Sequence, residues 1–251
     1  MWPTQIIHFL DISKFRFLRH VVLISSSVHM ETKIYSQNDE QEIISKLLEK
    51  YDIQTRAVEI GINTGARGDG STLQGNTVFL KSQGWHCLWM DPNTSFRGVR
   101  RVSVYPGNIN TLLQDFGDIG IFSIDIDSED WHVVKAVLEH GHRPQLFVCE
   151  TNSYLDPMLD LVMPLGHRRS PMPKSICHGA TLKAFDELLV RFDYHFICTT
   201  GLGNNGFWIR NDLEKIRIPI DCYKDNRHPR TTNWSRSRPT DAWTSSRELL
   251  A

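Results

Sequence analysis

The stretch Arg56-Ala57-Val58-Glu59-Ile60-Gly61-Ile62-Asn63-Thr64-Gly65 reads as a short apolar strand running straight into a glycine-bearing turn. A strand ending this way ahead of a helix is the first half of a βαβ unit, and glycine in the turn lets a ligand approach the backbone closely. The turn continues through Ala66-Arg67-Gly68-Asp69-Gly70, and a helix is expected around 72–83. Upstream, Ile43, Ile44, Leu47 and Leu48 repeat at helical spacing, and Ser36 with Asp39 three residues on resembles a capping arrangement.

Downstream the pattern recurs. Further strands are expected at 85–90, closed by Asp91-Pro92, near 102–105, at 119–126, and at 146–149, ending at Glu150. A short helix should start at Asn108 and a longer one at Ser128, running to about His140. Alternating strands and helices predict an α/β fold with a parallel sheet. The near-continuous apolar runs, such as Ile119, Ile121, Phe122, Ile124 and Ile126, suit strands covered on both faces. Pro157, Pro164, Pro171 and Pro173 mark 152–178 as a loop, placed over the active-site side. A helix at about 179–192 precedes two strands, 194–200 and 207–210, whose Gly/Asn-rich join predicts an antiparallel hairpin. The expected division is an N-terminal extension over 1–34, one domain over 35–211, and a weakly ordered tail over 212–251.

Composition narrows the function classes. The 251 residues carry 28 Lys+Arg against 29 Asp+Glu, a net charge of -1, which removes the basic excess that nucleic-acid binding needs. No run approaches the roughly 18 apolar residues that span a bilayer, so no membrane role is expected. At 40% hydrophobic the chain has ample material for a core. Residues 31–210 hold 17 basic and 22 acidic side chains, so the acidic excess lies in the middle, where the site is expected. The five cysteines show no metal-like spacing, and Cys87, Cys149 and Cys198 sit in apolar runs. A reducing, cytoplasmic setting follows.

In an open parallel sheet ligands bind beyond the carboxyl ends of the strands. Those ends are rich here. The turn Gly61-x-Asn63-x-Gly65 lacks the second glycine of a dinucleotide fingerprint and fits a looser nucleoside-binding turn, which counts against a nicotinamide-dependent oxidoreductase. Asp91, at the end of the second strand, is suited to accept both hydroxyls of a ribose, or else to close a turn with Pro92. Asp125, Asp127 and Asp130, with Glu150 and Asn152, form an acidic rim. Carboxylates crowded in a cleft need a cation, a proton or donor partners. One reading is a Mg²⁺ or Mn²⁺ site built from Asp125, Glu150 and Asn152. Another is metal-free acid/base work by Asp125 and Asp127, and a third is that Asp127 and Asp130 cap a helix. His178, and less so His132, are candidate bases.

The stretches Ser36-Gln37-Asn38-Asp39-Glu40, Val58-Glu59-Ile60-Gly61, Asn76-Thr77, Gly84-Trp85 through Asp91, Ser123-Ile124-Asp125-Ile126-Asp127-Ser128-Glu129-Asp130-Trp131 and Cys149-Glu150-Thr151-Asn152 resemble, in order and spacing, the FkbM-like S-adenosylmethionine-dependent methyltransferases. The resemblance covers about residues 35–210. It implies the Rossmann-like class I methyltransferase fold, a mostly parallel seven-stranded sheet with a reversed last hairpin. It further implies that Glu59, Gly61 and Gly65 line the methionine side of a bound S-adenosylmethionine, Asp91 its ribose, and Asn108 and Ile109 its adenine. Asn63 stands in the turn where the group usually has glycine, and Ser128 also departs from it.

The expected function is methyl transfer to the hydroxyl of a sugar or small molecule, with the 152–178 loop over the acceptor. The rival expectation, favoured by Asn63, is a catalytically inactive scaffold of the same fold. A homo-oligomer is left open.

Overall fold

The computed structural model describes residues 35–63, 73–166, 178–214 and 243–250. The expectations for 1–34, for Gly65 and the rest of the inserted turn, and for most of the 212–251 tail lie outside these residues. In chain order the elements are α1 Glu40–Lys50, β1 Arg56–Ile60, α2 Val78–Ser82, β2 His86–Met90, β3 Val99–Arg100, α3 Ile109–Leu113, β4 Ile121–Ile124, α4 Asp130–Glu139, β5 Leu146–Glu150, α5 Leu182–Val190, β6 Tyr194–Thr199, β7 Asn205–Arg210 and α6 Ser246–Leu249.

The described residues form one seven-stranded sheet of order β3-β2-β1-β4-β5-β7-β6. Every pairing is parallel except β5 with β7 and β7 with β6. The chain starts at the centre, winds outward to β3, returns through β4 and β5, and closes with a hairpin that reverses β7 between β5 and β6. This is the Rossmann-like methyltransferase fold expected above. Strand order reverses between β1 and β4, which opens a crevice at the carboxyl edge.

Side chains alternate through each strand and so build two cores. Val58, Ile60, Phe122, Ile124, Phe147 and Cys149 face α3, α4 and α5. Ala57, Ile121, Leu146, Val148 and Phe207 face α1 and α2. In α1 the expected stripe is observed, with Ile44 and Leu47 buried and Ile43 and Leu48 at its margins. Among the described residues no helix is long and apolar enough to cross a membrane.

Several local expectations are corrected. The third strand is Val99–Arg100, not 102–105, because Trp89 and Met90 pair with Val99 and Arg100. Val102 and Val104 pack against the core from a loop instead. Asp39 makes no side-chain cap of α1. Its carboxylate accepts the Gly201 N–H of the hairpin turn, 3.1 Å to each oxygen. Ser36 Oγ accepts the Gln41 N–H at 3.3 Å. Near residue 245, Thr244 pairs with Val162, and Asp160 accepts from the Ser245 hydroxyl and the Ser246 N–H.

Candidate functional site

A cleft of about 360 Å³ opens beyond the carboxyl ends of β2, β1, β4 and β5. It is lined by Gln37, Gly61, Ile62, Asn63, Asp91, Asn93, Thr94, Asp125, Asp127 and Glu150. Side chains from four strand ends thus converge as the topology requires. A second cleft, of about 390 Å³, lies at the opposite edge near Gln54, Gln145, Arg143 and Arg210. Its arginines are engaged: Arg143 donates to the Leu138 carbonyl, and Arg210 to Asp212 and the Arg143 carbonyl. The carboxyl edge is therefore the candidate site.

The turn after β1 is shaped by its neighbours. Gly61 has φ +89°, and a Cβ there would lie 1.6 Å from the Asp125 carbonyl oxygen. Only glycine fits that crossing. Asn63 has no such constraint. Its backbone pairs with Gln74 in an antiparallel bridge, N–H to carbonyl at 3.0 and 2.8 Å. An ordinary side chain is therefore tolerated where the sequence pattern led one to expect glycine.

Glu59 is a correction. It does not line the cleft. Buried on the α2 side, it accepts from the Asn76 N–H (2.6 Å), the Thr77 N–H (2.9 Å) and the Thr77 hydroxyl (2.6 Å). Trp89 Nε1 donates to the same Thr77 hydroxyl. A Cβ on Gly75 would fall 2.5 Å from Glu59 Oε1. Glu59 thus holds the 75–77 turn from beneath. Burial raises its pKa above the ordinary carboxylate value, and the Thr77 and Asn76 donors oppose that rise.

Asp91 lines the cleft at the end of β2. Its Oδ1 accepts the Asn93 and Thr94 N–H groups at 2.7 and 3.0 Å, so it also closes the turn. Asn108 and Ile109 do not line the cleft. Asn108 receives the Tyr105 N–H and donates to the Ser103 carbonyl, while Ile109 is fully buried in the core beside Met90. The adenine assignment is corrected accordingly.

The acidic end is reorganised relative to expectation. β4 stops at Ile124, and Asp127 takes φ +60°, so 125 and 127 do not continue a strand. Both still face the cleft. Asp125 stands beside Glu150 of the adjacent strand, close enough for the two carboxyls to influence each other. Burial, then the charge of Asp130, pushes the Asp125 carboxyl up to about 7. Burial, then the charge of Asp125, holds Glu150 well above its ordinary value. Two buried carboxyls so placed oppose each other's ionisation. Asp130 is fully buried and accepts the Ile126 and Ser128 N–H groups at 2.8 and 3.0 Å. It shapes the β4–α4 turn.

Ligand atoms of Asp127, Glu150 and His178 lie within 4.8 Å of one another. Asn152 is tied to the segment that carries His178. It is buried, donates to the His178 carbonyl at 2.9 Å and accepts the Tyr154 N–H at 3.0 Å, so it braces the segment carrying His178. Of the expected set of Asp125, Glu150 and Asn152, Glu150 belongs to this acidic and imidazole group and Asp125 does not. Glu150 Oε2 is buried without a hydrogen-bond partner. Two carboxylates and an imidazole fit a divalent ion. His132 is engaged elsewhere, at 2.8 Å from the Met163 carbonyl.

Sequence reasoning missed Gln37, Asn93 and Thr94 as lining residues. Gln37 sat in a stretch quoted for its family pattern, but no local signal tied it to a strand end 20 residues away.

No protein-family model matches the chain. No curated protein matches it either. Among solved structures it is similar to the MycE methyltransferase from the mycinamycin biosynthetic pathway in complex with Mg, SAH and mycinamycin VI, at 17% identity and a TM-score of 0.43, covering 71% of this chain and 51% of that one. It is likewise similar to a second crystal form of MycE with Mg and SAH, at 15% identity and a TM-score of 0.42, covering 79% and 55%. The chain spans about half the length of the solved structures it matches.

Proposed function

We propose that the chain is an S-adenosylmethionine-dependent methyltransferase acting on a hydroxyl of a sugar or small-molecule acceptor, in a cytoplasmic setting. The carrying observation is the convergence of the Gly61 turn, Asp91 and the Asp125–Glu150 rim on one cleft at the carboxyl edge. Gly61 gives the donor access to the backbone, and Asp91 accepts from its ribose. The four carboxyl groups of the lining suit a sulfonium cation.

Asp127, Glu150 and His178 would hold a divalent ion such as Mn²⁺ or Mg²⁺, whose chemistry is to acidify an acceptor hydroxyl. The protein's own part is positioning. Asn152 fixes the His178 backbone, and Asp130 fixes the turn that presents Asp127. Asp125, paired with Glu150, stands where it can take the acceptor's proton. Transfer is an in-line displacement: the acceptor oxygen attacks the methyl carbon, the sulfur keeps the bonding pair, and the proton leaves to a carboxylate.

The test is calorimetric titration with S-adenosylmethionine, followed by radiolabelled methyl transfer to panels of sugars and small hydroxylated acceptors. The alternative, a non-catalytic scaffold of the same fold, is the reading left if millimolar donor gives no heat. Asn63, the residue that favoured it, has a local explanation in its pairing with Gln74.

A further inference from the structure

The cleft lining has an imbalance that a zwitterionic ligand would feel. Four of its ten residues are carboxylic, and no Lys or Arg lines it among the described residues. An adenosyl sulfonium with an amino-acid end brings two cations and one carboxylate. The cations have Asp91, Asp125, Asp127 and Glu150 to choose from. Among the described lining residues the carboxylate meets neutral donors, and near four acids it needs a well-placed one.

The neutral side chains of the lining are Gln37, Asn63, Asn93 and Thr94. Asn93 and Thr94 belong to the Asp91 turn at the end of β2, which is the ribose side. Gln37 comes from elsewhere, and its segment is anchored at both ends. On one side the Gly75 N–H donates to the Tyr35 carbonyl at 2.9 Å, tying residue 35 to the turn above Glu59. The Tyr35 N–H in turn donates to Gln41 Oε1 at 3.0 Å. On the other side Glu40, 1% exposed, accepts the Asn38 N–H at 2.8 Å and Asn205 Nδ2 at 2.9 Å. Asp39 receives the Gly201 N–H. An exposed glutamine in the cleft is thus carried on a segment bound by buried and bridging contacts to both the β1 turn and the β6–β7 turn. Such anchoring presets where its carboxamide is offered.

We infer that Gln37 is a specificity residue for the α-carboxylate of an amino-acid-bearing ligand, donating its amide N–H at the methionine end of the cleft, with the Asn63 amide beside it. The inference rests on the donor reading given above and deepens it. It separates S-adenosylmethionine from adenosyl sulfonium compounds that lack the carboxylate.

The experiment compares S-adenosylmethionine with its decarboxylated form by calorimetry on wild type, Gln37→Ala and Gln37→Glu. The two ligands differ only in the carboxylate. For Gln37→Glu the affinity for S-adenosylmethionine should fall at least about tenfold, because a like charge meets the carboxylate, while that for the decarboxylated ligand stays within about threefold. Gln37→Ala should lose about three- to tenfold for S-adenosylmethionine alone. Unchanged S-adenosylmethionine affinity in both variants overturns the inference and leaves the donor reading standing. Equal losses for both ligands also overturn it, since they indicate a general structural role. Wild type binding neither ligand removes the donor reading and this inference with it.

Discussion

Asp125 and Glu150 stand side by side at the ends of adjacent parallel strands, and burial raises the pKa of both carboxyls. Removing burial and neighbouring charge, as unfolding does, returns each group to its ordinary acidity. The folded chain therefore keeps a proton that the unfolded chain would release near pH 4.

This sets the sign of a pH effect. A carboxyl whose pKa is raised on folding stabilises fully below its unfolded value, and that contribution is lost as pH rises through the folded value. With Asp125 raised to about 7, the window is roughly pH 4 to 7. In the presence of a chelator, the melting temperature should fall across that window. Asp125→Asn removes the Asp125 part, so its melting curve should be flatter and should exceed wild type at pH 7. Parallel pH profiles for the two proteins would refute the raised Asp125 pKa.

Gly61→Ala tests the crossing beneath the cleft. The substitution forces a non-glycine residue to φ +89° and sets a methyl against the Asp125 carbonyl. We expect a loss of about 2–4 kcal/mol in stability, read by urea titration, together with loss of donor binding. An alanine variant with wild-type stability would mean that the two strand ends do not meet as described.

The Gly61 case shows what the sequence made legible. The strand–turn–helix signature around residue 61 located β1, the apolar runs located β4 and β5, and the Gly/Asn join located the closing hairpin. These signals are local, with a period or a turn chemistry behind each. The site was readable only as far as strand ends are readable. Asp91, Asp125, Asp127 and Glu150 do gather in the cleft. The family resemblance put Glu59 on the methionine side, yet its side chain points to the α2 face, where Thr77 and Asn76 capture it. Asn108 and Ile109 do not line the cleft, because Asn108 bonds its own loop and Ile109 is buried in the core. Gln37 and His178 reach the site by tertiary routes that no spacing encodes.

Asp91 does two jobs, and two substitutions separate them. Asp91→Ala removes both the ribose acceptor and the turn closure at Asn93 and Thr94. It should weaken S-adenosylmethionine binding by roughly ten- to a hundredfold, the worth of a charge-assisted hydrogen bond. Asp91→Asn keeps an oxygen for the turn and should retain stability while still losing affinity. Calorimetry and thermal melting together check both. Undiminished affinity in Asp91→Ala would remove the ribose role.

The carboxylate–imidazole trio makes a direct claim about ions. Mn²⁺ should raise the melting temperature of the wild-type protein more than Mg²⁺ does, because imidazole suits the softer ion. At about a hundredfold excess over its dissociation constant the gain is about 2.7 kcal/mol. Glu150→Gln and His178→Ala should each abolish the Mn²⁺ shift, whereas Asn152→Asp should keep a reduced one. A Mn²⁺ shift that survives both His178→Ala and Glu150→Gln would move the ion elsewhere.

The Glu40–Asn205 bond joins residues 165 positions apart. During synthesis α1 leaves the ribosome before β6 and β7, and Glu40 must wait for them before it gains its bond from Asn205. Contacts of such long range close late, since the loop between them must be ordered beforehand. Assembly of the cleft wall is therefore tied to completion of the sheet. A nascent chain halted before residue 205 would carry the glycine turn and all four cleft acids, but not the clasp that seats Gln37.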